Sequence, residues 1–166
     1  MSLASMVKRS YLNAGLGIRI NRVAAADAVG PTNLFTVAGG LILLTGLYGV
    51  VTVVRTGGAG VTQLFTHTAV NLCTATITGL ATVGTVITIT GDPADPAVIG
   101  VGTGVANTVA PLQGGLKGSV LGGMQMFGVV LGLGSITTTI SVATTGTTRY
   151  VASYIPLDDA AIMFAA

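Results

Sequence analysis

One histidine, one cysteine and five aspartates are the side chains on which acid–base, nucleophilic or metal chemistry would have to rest in this chain, which contains no Glu. His67 lies between Thr66 and Thr68 in a strand-like stretch, and Cys73 ends the run Val70-Asn71-Leu72-Cys73. A nucleophile needs a base held within hydrogen-bond reach, and the spacing supplies no such pair. One His and one Cys do not complete a structural zinc site without carboxylates from afar. A single Cys also excludes an intramolecular disulfide framework. Cys73 is therefore expected to be a buried small hydrophobe, and His67 a half-exposed strand residue.

The carboxylates point the same way. Asp92 and Asp95 stand in Gly91-Asp92-Pro93-Ala94-Asp95-Pro96 and could offer oxygens to calcium. The loop lacks the acidic density of a calcium site, however, and Asp beside Pro is an ordinary turn opener. Asp158 and Asp159 follow Pro156-Leu157, where a strand should end. Paired catalytic carboxylates are usually distant in sequence and converge in a cleft, so these two suit a cap or a salt bridge. Gly100-Val101-Gly102-Thr103-Gly104 is like a phosphate loop only in its glycines: position 105 is Val, and no Gly-Lys-Ser/Thr follows. The expectation is no catalytic residue, no cofactor and no metal, and hence not an enzyme.

Charge is scarce in the chain. An ordinary soluble domain carries about a quarter charged residues, whereas this one carries 7% over 166 residues. Residues 28–166 hold only Arg55, Asp92, Asp95, Lys117, Arg149, Asp158 and Asp159 among Lys, Arg, Asp and Glu. A surface so poor in charge tends to be covered by partners. Residues 1–27 set four cations (Lys8, Arg9, Arg19, Arg22) against Asp27, a net +3, while the rest of the chain is net −1. A small basic leader on a nearly neutral body suggests an arm that docks on a protein partner, with Lys8, Arg9, Tyr11, Arg19 and Arg22 as its candidate contact residues. Four cations so spread make a weak phosphate footprint; there is no Trp, and Tyr11, Tyr48, Tyr150 and Tyr154 are scattered along the chain. Nucleic acid is not expected as a partner.

The elements that would position these residues have a period of two. Val83-Gly84-Thr85-Val86-Ile87-Thr88-Ile89-Thr90 and Ile136-Thr137-Thr138-Thr139-Ile140-Ser141-Val142 alternate across a strand, and their β-branched side chains suit a pleated surface. Strands are expected at 34–38, 41–55, 61–68, 73–78, 82–90, 97–101, 105–110, 125–131, 135–143 and 147–156. Gly57–Gly60 and Thr144–Thr147 are expected to turn hairpins, and the Pro-rich stretch 91–96 to form a loop. Helix is expected only as short turns at Ser2–Asn13 and at Asp158–Phe164, where Asp favours a helix N-terminus. The predicted fold is all-β: a single β-sandwich or jelly-roll-like barrel over 31–166 with an extended N-terminal arm over 1–30.

The end of the chain adds a resemblance. Gly134-Ser135-Ile136-Thr137-Thr138, the Thr145-Gly146-Thr147 turn and Arg149-Tyr150 through Tyr154-Ile155-Pro156-Leu157-Asp158-Asp159-Ala160 resemble the C-terminal ends of small β-rich structural proteins of tailed bacteriophage virions. The resemblance covers residues 134–160 and names no active residue. It implies a capsid decoration (cement) protein that binds the major capsid protein on the outer lattice. Such proteins are often trimeric, with an extended arm on the shell, so copies of this chain are also expected to be partners of one another, as a homo-oligomer such as a trimer. The expected location is the capsid surface of the virion, after synthesis in the host cytoplasm. Two alternatives stand beside it: a tail or head–tail connector component, and an integral membrane protein spanning with Leu34–Val54 and Leu116–Leu133.

Overall fold

The computed structural model describes residues 17–56, 58, 60–79, 81–100 and 124–166. These form twelve strands: β1 (Ile18–Ala26), β2 (Gly30–Ala38), β3 (Ile42–Val53), β4 (Thr62–His67), β5 (Val70–Asn71), β6 (Thr76–Ile77), β7 (Val86–Thr88), β8 (Val98–Gly100), β9 (Met124–Leu131), β10 (Gly134–Ile140), β11 (Thr147–Pro156) and β12 (Ile162–Ala165). No helix occurs among the described residues, and the strands divide into two antiparallel sheets, a β-sandwich. The first sheet runs β1-β11-β3-β7-β8 with β9 also beside β3, and the second runs β12-β2-β10-β4-β5 with β6 also beside β4.

Alternation decides what goes between the sheets. In β10, Ile136, Thr138 and Ile140 are buried while Thr137 and Thr139 are half-buried on the other side. The core joins Leu34, Phe35, Ile42, Leu44, Leu47, Phe65, Ile87 and Ile136 from both sheets. Phe65 meets Tyr150 edge to face, with ring centroids 6.1 Å apart. Such apolar burial is worth about 1.5–3 kcal/mol for each large side chain, and it is the main force holding the sheets together.

Most expected strands have counterparts, though 73–78 contracts to β6 and 82–90 to β7. The expected strand 105–110 and the helical turn at Ser2–Asn13 lie outside the described residues. Four expectations are corrected. Ile18–Ala26, within the stretch assigned to the arm, pairs along β11 from Ile18↔Tyr154 to Ala26↔Thr147. Asp158–Phe164 makes no helical turn, because Ile162–Ala165 pairs with β2 instead, and a strand partner supplies the hydrogen bonds that one isolated turn lacks. The connections from β3 to β4 and from β10 to β11, where hairpins are expected at Gly57–Gly60 and Thr144–Thr147, cross between sheets instead: β3 and β11 belong to the first sheet, β4 and β10 to the second; Gly57 and Ala59 themselves lie outside the described residues. Leu34–Val54 is not a spanning helix either, since it forms the end of β2, a Gly39-Gly40 turn and β3.

Two glycines have stated steric reasons. Gly39 has φ +75° and backs onto the Ala160 carbonyl, where any Cβ would overlap it. The same turn is fastened by Asp158, whose Oδ2 accepts the Leu41 N–H at 2.6 Å. Gly146 lies against Arg55, and a Cβ there would come within 2.6 Å of Arg55 Cγ.

Candidate interaction surfaces

Of the expected contact residues, Lys8, Arg9 and Tyr11 lie outside the described residues. Arg19 and Arg22 stand on β1, at the edge of the first sheet. Arg19 reaches across the outer face to Tyr48 on β3: its NH2 donates to the phenol oxygen at 2.7 Å, and its guanidinium lies 5.9 Å from the ring centroid. That is a cation–π contact at an exposed site, worth about 0.5–1 kcal/mol. Arg22 turns the other way, and its Nε donates to the Ala166 carbonyl at 3.3 Å. The fold thus separates two cations that sequence placed together, and ties each to a different sheet.

The two outer faces differ in charge. On the first sheet, Arg19 and Arg149 are both exposed. On the second, register sets Phe164 beside Thr36, Thr36 beside Ser135, Thr137 beside Thr66, and Thr139 beside Leu64. Ile77 continues the row next to Thr62. No ionisable side chain stands on that face among the described residues. Thr137 and Thr66 hydroxyls share a hydrogen bond at 2.5 Å, so part of the polar inventory of the face is already satisfied within it.

Inside, one polar cluster bridges the sheets. Arg55 is fully buried and donates from Nε to Asp27 Oδ2 at 2.7 Å, from NH1 to Gln63 Oε1 at 2.9 Å, and from NH2 to Thr148 Oγ1 at 2.9 Å. Thr148 in turn donates to Asp27 Oδ2 at 3.0 Å. Gln63 Nε2 passes the chain to Thr138 Oγ1 and Tyr150 OH, both at 2.8 Å. Asp27 and Arg55 flank the ends of first-sheet strands, Thr148 and Tyr150 belong to β11, and Gln63 and Thr138 belong to the second sheet. Burial, the largest influence on it, holds the Tyr150 phenol above its ordinary pKa. Sequence reading missed this cluster. Its signal was Gln63, which shares the inward parity of Val61 and Phe65, and Arg55 at the end of a long apolar strand.

A second feature lies at the side where β5, β9 and the 91–93 loop meet. A cavity of about 300 Å³ is lined there by His67, Val70, Asn71, Leu72, Gly91, Pro93, Val129, Val130 and Leu131. Burial depresses the His67 pKa below 6.5, partly opposed by a hydrogen bond to the Gly132 backbone. Its Nε2 is enclosed without a hydrogen-bond partner. The β4–β5 turn beside it holds Thr68 at φ 46° and Ala69 at φ 67°, the left-handed pair that a two-residue hairpin demands and that Asn-Gly normally supplies. Cys73 is fully buried, and burial raises its thiol pKa; it is a packed side chain with no thiolate at neutral pH.

No group of three or more His, Cys, Asp or Glu side chains that could hold a metal ion occurs among the described residues. Nor is any described helix long and apolar enough to cross a membrane. What the arrangement offers is surface: an uncharged sheet face, an arginine-bearing face, and a side cleft. No family model, curated protein or solved structure matches the chain.

Proposed function

We propose that this chain is a virion structural protein, a capsid decoration (cement) protein that binds the outer lattice of major capsid protein and stabilises it. The observation that carries the reading is the outer face of the second sheet, a Thr- and aliphatic-lined surface with no ionisable side chain among the described residues. A charged partner group laid against such a face would lose water without gaining a counter-charge, so its natural partners are other uncharged protein surfaces. Repetition over a shell multiplies each weak contact, and coverage removes the aggregation hazard of bare strand edges. Arg19 and Arg22 on the β1 edge, with Lys8, Arg9 and Tyr11, are proposed to contact partners within the decorated shell.

The test is to mix purified chain with assembled, undecorated shells. Binding in fixed stoichiometry, a rise in the temperature at which the shells disrupt, and no retention on free nucleic acid are the expected results. Absence of shell binding would remove the proposal, and rings or tubes on a microscope grid would move the chain to the tail or connector.

A further inference from the structure

The two side edges of the sandwich are unlike. On one, β1 and β12 stand together, joined by the Arg22–Ala166 hydrogen bond. This edge carries Arg22 and Phe164, while the Arg19 side chain lies against Tyr48 on the first sheet's outer face. Phe35 and Phe65 are buried in the core, whereas Phe164 is 46% exposed. The opposite edge carries the cleft, with Val70 and Val130 exposed at its mouth by 67% and 57%. Exposed Asp92 sits between Gly91 and Pro93 of the cleft wall. Thr74 bridges to Pro96 on this side, fixing the loop against the second sheet.

From these observations we infer that copies of this chain associate head to tail, Phe164 of one molecule entering the cleft beside His67 of the next. The inference rests on the reading of the chain as a decoration protein repeated over a shell, and it names the two surfaces through which its copies would meet. Size and charge both argue for it. A dry cavity of about 150 Å³ accepts benzene, so one of about 300 Å³ has room for a phenyl ring. It stands at the bottom of the range for free ligands, about 300–1,000 Å³, and suits a side-chain anchor. Arg22, held beside the knob by Ala166, and Asp92, beside the hole, carry opposite charges, so approach of the two edges brings them together. Burial keeps His67 neutral in the cleft, and an apolar ring meets no charge there. Because β12 and β5 lie at opposite edges of one sheet, the contact is heterologous, and such contacts propagate into rings or filaments.

Sedimentation of the full chain and two variants, Phe164→Asp and Val130→Asp, tests it. Both positions are exposed, and circular dichroism and thermal melting confirm the fold; Phe164→Ser and Val130→Thr replace any variant that fails that control. Wild type is expected to be oligomeric. Each variant alone should dissociate, with a dissociation constant raised at least about 30-fold, as removal of a buried aromatic anchor does. Mixed one to one, the two variants retain a single intact knob and hole and should form a heterodimer and nothing larger. Variants that stay oligomeric, or a mixture that stays monomeric, overturn the inference. A monomeric wild type that still decorates shells also overturns it while leaving the decoration reading in place. A heterodimer from a chain that ignores shells supports this contact and removes the decoration reading.

Discussion

His67 is the side chain whose protonation the fold opposes near neutral pH. Its pKa is lowered from 6.5 by burial, and its Nε2 has no partner to receive a proton's charge. The unfolded chain therefore binds the proton more readily than the folded one, and stability rises with pH while that holds. Melting temperature should be flat above about 7 and begin to fall as pH drops through 6.5, a slope that His67→Gln removes. Wild type and variant share every other titratable group, so the difference between them across pH 5–7 isolates the histidine. Cys73 gives a second check at this scale. Fully buried and held as a thiol, it should react with an aromatic disulfide reagent no faster than the chain unfolds, and at once in denaturant.

Between elements, the Arg55 cluster is the joint with the highest stakes. Arg55→Met leaves Asp27 buried without its cation and Gln63 without its donor, which should cost about 3–5 kcal/mol in denaturant unfolding. Replacing Asp27 by Leu in the same chain should recover much of that loss, because no unpaired charge is then left inside. The β4–β5 turn works in the opposite direction. A left-handed residue other than Gly costs about 1–2 kcal/mol, and Gly loses part of that gain to unfolded-chain entropy. Ala69→Gly should thus stabilise by about 0.5–1 kcal/mol, again read by denaturant unfolding. These joints also mark how far sequence could be followed. The alternation in Ile136–Ile140 and Thr147–Pro156 gave β10 and β11 directly, since period two is written in the order of residues. Pairing is not written there: Thr and Val tolerate either face, so nothing in the order of residues says that β3 and β4 belong to different sheets. β1 was hidden by Arg19 and Arg22, whose charges suggest an arm until Tyr48 and the Ala166 carbonyl are seen to receive them. The cleft draws on residues 67–72, 91–93 and 129–131, separated in sequence and joined only by the fold.

At the scale of the whole molecule, the sandwich is closed by its C-terminal quarter. β11 enters between β1 and β3, setting residue 154 opposite residue 18, while β10 enters between β2 and β4 and β12 completes the edge beside β2. Each pairing closes a long loop before any of its contacts is rewarded, so refolding should fall in the slow milliseconds-to-seconds range of β topologies. A chain ending at residue 145 keeps β10 but loses β11 and β12, leaving β3 with a bare edge along the partner register Ile42–Val53. Val151, Ala152 and Tyr154 leave the interior with it, and the Arg55 cluster loses Thr148 and Tyr150. Among the described residues no neighbouring element is placed to replace them, because β1 pairs in the sheet through β11. The truncated chain should show no cooperative melt by circular dichroism and should aggregate through the uncovered strand; adding a peptide of residues 146–166 should restore the sheet signal. A truncated chain that melted cooperatively near the full-length temperature would mean that the first sheet forms without its second strand, contrary to the order of pairing in the molecule.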